Sequence, residues 1–105
     1  MMSFDINKVL TDMANAISEV VEGGAGDVTG AIKEILEAEK ESLKELGKAK
    51  LAGEITQEVF DREIEREKKV VEAELLTIKI MTKVLAQKAV NAAIDVFVKA
   101  VKAVI

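Results

Sequence analysis

Apolar residues in the first part of the chain recur at Ile6, Val9, Leu10, Met13, Ile17, Val20 and Val21, the spacing of one helical face. This pattern predicts a helix over about 4–22, with Ser3 or Asp5 available to cap its start. Gly23, Gly24 and Gly26 end it, because glycine supports helix poorly and admits positive φ at little cost, so residues 23–27 are expected to form a loop. A second helix is predicted over about 28–52, capped by Asp27 or Thr29. Its apolar stripe is narrower: Val28, Ile32, Ile35, Leu36, Leu43 and Leu46. Glu37, Glu41 and Glu45 each stand three residues before Lys40, Lys44 and Lys48, a spacing that stabilises an exposed helix by roughly 0.2–0.5 kcal/mol per pair.

After Gly53, Thr56 is the natural N-cap of a third helix, and Ile55 just before it is placed to pack on Phe60 as a hydrophobic staple. Neither Gly nor Pro follows before residue 105, so this helix is expected to run over about 56–104, a length of about 70 Å. The fold class is therefore all-α in a single domain. The expected architecture is a long antiparallel helical hairpin or a three-helix bundle, with one very long C-terminal helix. In the hairpin, the first helix covers the second half of the last one. In the bundle, it folds back at the glycine loop to pack around residues 70–85.

Charge placement favours the first pairing. Asp5, Asp12, Glu19, Glu22 and Asp27 face Lys8 alone in the first segment, whereas Lys79, Lys83, Lys88, Lys99 and Lys102 face only Asp95 in the last. From residue 84 onward the polar residues Lys88, Asn91, Asp95, Lys99 and Lys102 fall on a strip only about 80° wide, with Gln87 as the outlier. The remainder is Val, Ile, Leu, Phe and Ala. One neighbouring helix cannot cover so much apolar surface, so a second copy of the chain is expected to do so, most simply as a dimer. Leu85, Ala89, Ala92, Val96 and Phe97 are the expected interface residues. On this reading Ala92→Asp disrupts the assembly and Lys99→Asp does little.

The segment Leu43-Lys44-Glu45-Leu46, followed by Gly53-Glu54-Ile55-Thr56-Gln57-Glu58-Val59-Phe60, resembles the SHOCT short helical-hairpin motif found at many bacterial protein C-termini. The resemblance covers about a quarter of the chain. It departs after Phe60, where the motif closes with Lys and a Leu pair and this chain carries on as a predicted helix. The resemblance implies a role in oligomerisation.

Composition narrows the chemistry. The 105 residues include no His, Cys, Pro, Trp or Tyr and only three Phe, and the net charge is −4. No imidazole or thiolate is available as general base, nucleophile or transition-metal ligand, and no catalytic, cofactor-binding or metal residue is expected. Glu34, Glu37, Glu41 and Glu45 form a carboxylate row, as do Glu58, Asp61 and Glu65. A weak Ca²⁺ or Mg²⁺ contact is the only metal chemistry open to them, and the interspersed Lys and Arg point instead to solvated, salt-bridged faces. Gly23, Gly24 and Gly26 precede a helix start, but no Gly-Lys-Ser/Thr follows and Asp27 repels phosphate, so a plain loop is the expected reading. An acidic chain without Trp or Tyr is a poor match for nucleic acid.

No secretory signal pattern or spanning apolar stretch is visible, which makes the cytoplasm the expected location. The functional expectation is a non-enzymatic structural, scaffold or interaction module that self-associates through its C-terminal helix. Its general style suits a phage- or prophage-encoded accessory protein. The alternative is a peripheral membrane-associated or membrane-active protein using the same Lys-bearing amphipathic helix.

Overall fold

In a computed structural model of the protein, which describes residues 4–21, 28–79 and 81–104, the chain forms five α-helices and, among those residues, no strand. They are α1 (Ile6–Val21), α2 (Thr29–Ala38), α3 (Lys40–Leu51), α4 (Gln57–Leu75) and α5 (Lys83–Val104). Asp5 starts α1: its Oδ1 accepts from the backbone N–H groups of Asn7 at 3.1 Å and Lys8 at 3.3 Å. Val28, with no side-chain cap bond, precedes α2, and Thr29 lies inside the helix, not at its cap. The predicted glycine loop and the Asp27 cap lie outside the described residues.

The predicted second helix is two helices in line. Glu39 leaves helical geometry (φ −97°, ψ 3°), and its N–H turns back to the Leu36 carbonyl at 3.1 Å. The residues around it, Glu37 to Ser42, carry no large apolar side chain to anchor that turn to the core. At the far end of α3, Gly53 takes φ +73°, a value that its missing Cβ permits. Thr56 then caps α4, its Oγ1 accepting from the Val59 N–H at 3.1 Å, with Ile55 half-buried against the core. Residues 43–60 are thus a helix, a tight turn and a second, well-capped helix.

The single helix expected over 56–104 is the main correction. It is broken after Leu75, where the Thr77 hydroxyl donates to the Glu74 carbonyl at 2.6 Å and the Ile78 N–H bonds to Leu75 O at 3.0 Å. Thr82 restarts the chain as the cap of α5, accepting from the Leu85 N–H at 3.1 Å. The sequence between, Thr77-Ile78-Lys79-Ile80-Met81-Thr82, is rich in β-branched residues, which lose χ1 freedom in a helix, and its two threonines offer the backbone local alternatives. Folding back gains far more burial than continuing. The longest dimension of the molecule is 41 Å, against about 70 Å for an unbroken helix.

The result is an up-down-up-down bundle in which α2 and α3 together make one arm. The dominant contact is α1 with α5, so the acidic first helix and the basic last one do lie side by side. They run antiparallel, since Phe4, Asp5 and Lys8 sit beside Val96, Ala100 and Val104. The polar strip of α5, Lys88, Asn91, Asp95, Lys99 and Lys102, is exposed. None of the expected pairs between Glu37, Glu41 or Glu45 and the following lysines closes to ion-pair distance. Among the described residues the ion pairs lie within α1, α4 and α5, for example Lys8–Asp12 and Lys99–Asp95, both at 3.0 Å and exposed, and each is worth about 0–1 kcal/mol.

Three rings close one end of the core. Phe97 meets Phe4 edge-on at 5.9 Å between centroids and stacks with Phe60 at 6.4 Å. Phe4 approaches so closely because α3 presents Gly47, where a Cβ would stand 2.7 Å from the ring. Gly47→Ala is therefore expected to destabilise the protein slightly, although alanine gains about 1 kcal/mol of intrinsic helix propensity over glycine. In a Phe4→Ala background the same change is expected to stabilise by roughly 0.5–1 kcal/mol, a reversal of sign that urea denaturation of the four proteins reads directly.

Candidate functional site

Most of the apolar surface of α5 is used inside the chain itself. Ala86, Ala89, Val90, Ala93, Ile94, Phe97 and Val101 are buried, and the helices packed against α5 are α1, α4 and α3. Two of the expected interface residues, Ala89 and Phe97, are fully enclosed in this core. Leu85, Ala92 and Val96 are half-buried. Ala92 and Val96 open on different sides: Ala92 lines a shallow groove between α4 and α5 with Lys68, Asn91 and Asp95, and Val96 lines one between α1 and α5. The periodicity of α5 could not distinguish these sides, because it shows that a residue wants burial and not which helix supplies it. Among the described residues large exposed apolar side chains are few, Val84 being the most open at 64%.

The α1–α5 groove, about 460 Å³, has an apolar floor of Phe4, Val9, Val96, Ala100, Ala103 and Val104. Its rims differ in charge. Asp5 stands along α1 with the ion-paired Lys8 and Asp12, and Lys99, paired with Asp95, stands on the α5 side, with Lys102 one turn on outside the groove lining. Ala100 and Ala103 keep the floor shallow enough for a second helix to approach closely.

A second feature is polar and lies at the joint between α2 and α3. The buried stripe of α4 runs Phe60, Ile64, Glu67, Val71, Leu75, so that a glutamate occupies a core position. Glu67 is only 7% exposed. The Ser42 hydroxyl donates to its Oε1, while Oε2 is buried without a hydrogen-bond partner. The Glu39 carboxyl lies beside it. Burial, then the Glu67 charge, then a hydrogen bond to Glu67, and last the charge of Glu74, all push Glu39 above the ordinary glutamate range. Sequence reading missed this pair, though Glu67 falls seven residues after Phe60 and four before Val71, on the same helical stripe.

The two carboxylate rows singled out in the sequence are exposed along their helices. Among the described residues no three His, Cys, Asp or Glu converge as a metal site, and no helix is long and apolar enough to cross a membrane. Comparison with protein families, curated proteins and solved structures gives no match.

Proposed function

We propose that the protein is a non-enzymatic structural or interaction module that self-associates as a two-fold dimer, with the α1–α5 groove as the contact. The observation that carries this reading is the groove itself: an apolar floor open to solvent between an acidic-leaning and a basic rim. A two-fold axis through such a face sets the α1 of each copy against the α5 of the other, so that Asp5 and Asp12 approach Lys99 and Lys102 of the second copy twice over. The expected interface of the C-terminal helix thereby moves from its inner face to Val96, Ala100 and Ala103. The resemblance of residues 43–60 to an oligomerisation motif supports the same class. A chain without His or Cys, whose acidic rows are solvated, supports the absence of catalysis.

Sedimentation equilibrium or light scattering tests the proposal. A dimer is expected at micromolar concentration, and Ala100→Asp is expected to weaken it tenfold or more, because one desolvated and unpartnered carboxylate costs well over about 1.4 kcal/mol. A monodisperse monomer at tens of micromolar overturns the reading. So does co-sedimentation of the wild type with anionic vesicles as a monomer, which would favour the membrane-surface alternative.

A further inference from the structure

Glu67 occupies a position that every other turn of α4 fills with an apolar residue, and its Oε2 is buried without a partner. A carboxylate oxygen accepts hydrogen bonds and donates none. Its neighbour at the α2–α3 joint is another carboxyl, Glu39, and two ionised carboxylates repel where one ionised and one protonated group form a strong hydrogen bond. The charges that raise Glu39 are those of Glu67 and Glu74, both on α4 and both negative. Of the four cations of α4, Arg62 pairs with Glu58, Arg66 with Glu63 and Lys68 with Glu65, while Lys69 is exposed and in no ion pair among the described residues; Lys40 on the adjoining turn does not pair with Glu39. A proton is the simplest occupant that satisfies the orphaned oxygen.

We propose that a protonated Glu39 donates to the buried Glu67 carboxylate and acts as a pH-operated clamp that holds the α2–α3 joint against α4. The joint suits this use. Glu39 is the residue at which the arm leaves helical geometry, so releasing it frees a hinge without breaking a continuous helix. Ser42, three residues on, is the second tie across the same gap. Glu39 binds its proton more tightly in the folded chain than in the unfolded one. Its contribution to stability is therefore complete below the ordinary glutamate pKa and is lost as pH rises through the raised folded value. This is opposite in sign to an ordinary salt-bridged carboxylate.

Thermal unfolding of the full chain and of Glu39→Gln between pH 4 and 8 tests the clamp. Glutamine keeps a donor at every pH, so the wild type is expected to lose melting temperature relative to Glu39→Gln as pH rises. Each tenfold by which folding tightens the proton corresponds to roughly 5–10 °C. Amide exchange at Leu43, whose N–H donates to the Glu39 carbonyl at 3.0 Å, is expected to accelerate over the same range beyond its intrinsic base-catalysed increase in the wild type only. Glu67→Gln, which places the donor on the other partner, is expected to flatten the same pH dependence and serves if Glu39→Gln folds poorly. Parallel pH profiles for wild type and both variants overturn the proposal. Millimolar Mg²⁺ or Ca²⁺ that stabilises the wild type but not Glu67→Gln at pH 8 also overturns it, by showing that a cation and not a proton fills the gap.

Discussion

Phe97→Ala is expected to remove about 3–5 kcal/mol of stability and to lower the melting temperature by roughly 15–30 °C. Phe97 is fully enclosed, and its ring is the middle member of the cluster that joins the residues before α1, the first turn of α4 and the second half of α5. Truncation leaves a cavity that three different segments must close at once, and rigid helices do so only in part. Phe4→Ala is expected to cost less, because Phe4 is half-buried just ahead of α1 and the surrounding side chains can follow it. Urea denaturation measures both as shifts of midpoint at unchanged slope. A loss below about 1 kcal/mol for Phe97→Ala would mean that the three rings do not form one cluster. Since domains of this size retain about 5–15 kcal/mol in all, the single substitution is expected to consume a large share of the total.

How much of this was legible in the sequence depends on what kind of signal each feature leaves. The helical face of residues 6–21 and the caps Asp5 and Thr56 leave local patterns, and each stands where the pattern puts it. The opposite charges of the first and last segments foretold which helices lie together. The break at 76–82 has no Gly or Pro, and its threonine caps are weak signals beside an apolar periodicity that passes through them. Only the gain from docking α5 on α1 and α4 decides it, and that gain is tertiary. Length was the neglected clue: a helix of nearly fifty residues is far beyond the usual range for a globular chain. The same gap explains the interface residues. With one long helix, α5 lacks partners and its inner face looks unpartnered; once the chain turns at Leu75, Ala89 and Phe97 find cover within the chain.

The pair of Glu39 and Glu67 was missed for a different reason. In a segment as densely charged as 57–75, one glutamate looks like any other. Glu67 differs only by falling on the stripe of Phe60, Ile64, Val71 and Leu75, and Glu39 only by facing it across a joint whose position is itself not written in propensities. An acidic residue on an apolar stripe is an inconsistency between local pattern and global fold, the kind of place where a function is to be sought.

Ala93→Asp separates the bundle from the extended hairpin by the largest margin and is expected to leave the chain unfolded, or close to it, at 37 °C. Ala93 is fully buried on the inner face of α5, within the apolar core, and an unpaired charge in such a site costs at least about 3–5 kcal/mol. Ala92→Asp, one residue earlier, puts the same charge in the open α4–α5 groove beside Lys68 and is expected to cost less than about 1.5 kcal/mol. The contrast matters because an interface centred on Ala92 makes the opposite prediction, with Ala92→Asp disruptive. Acidification sharpens the test. Burial raises the pKa of a carboxyl introduced at position 93, so Ala93→Asp is expected to regain stability relative to wild type as pH falls towards 4, while Ala92→Asp is not. Circular dichroism melts at two pH values, with light scattering to follow mass, decide the matter: an Ala93→Asp variant that melts with the wild type would place that face of α5 at the surface and undo the four-armed arrangement described for the chain.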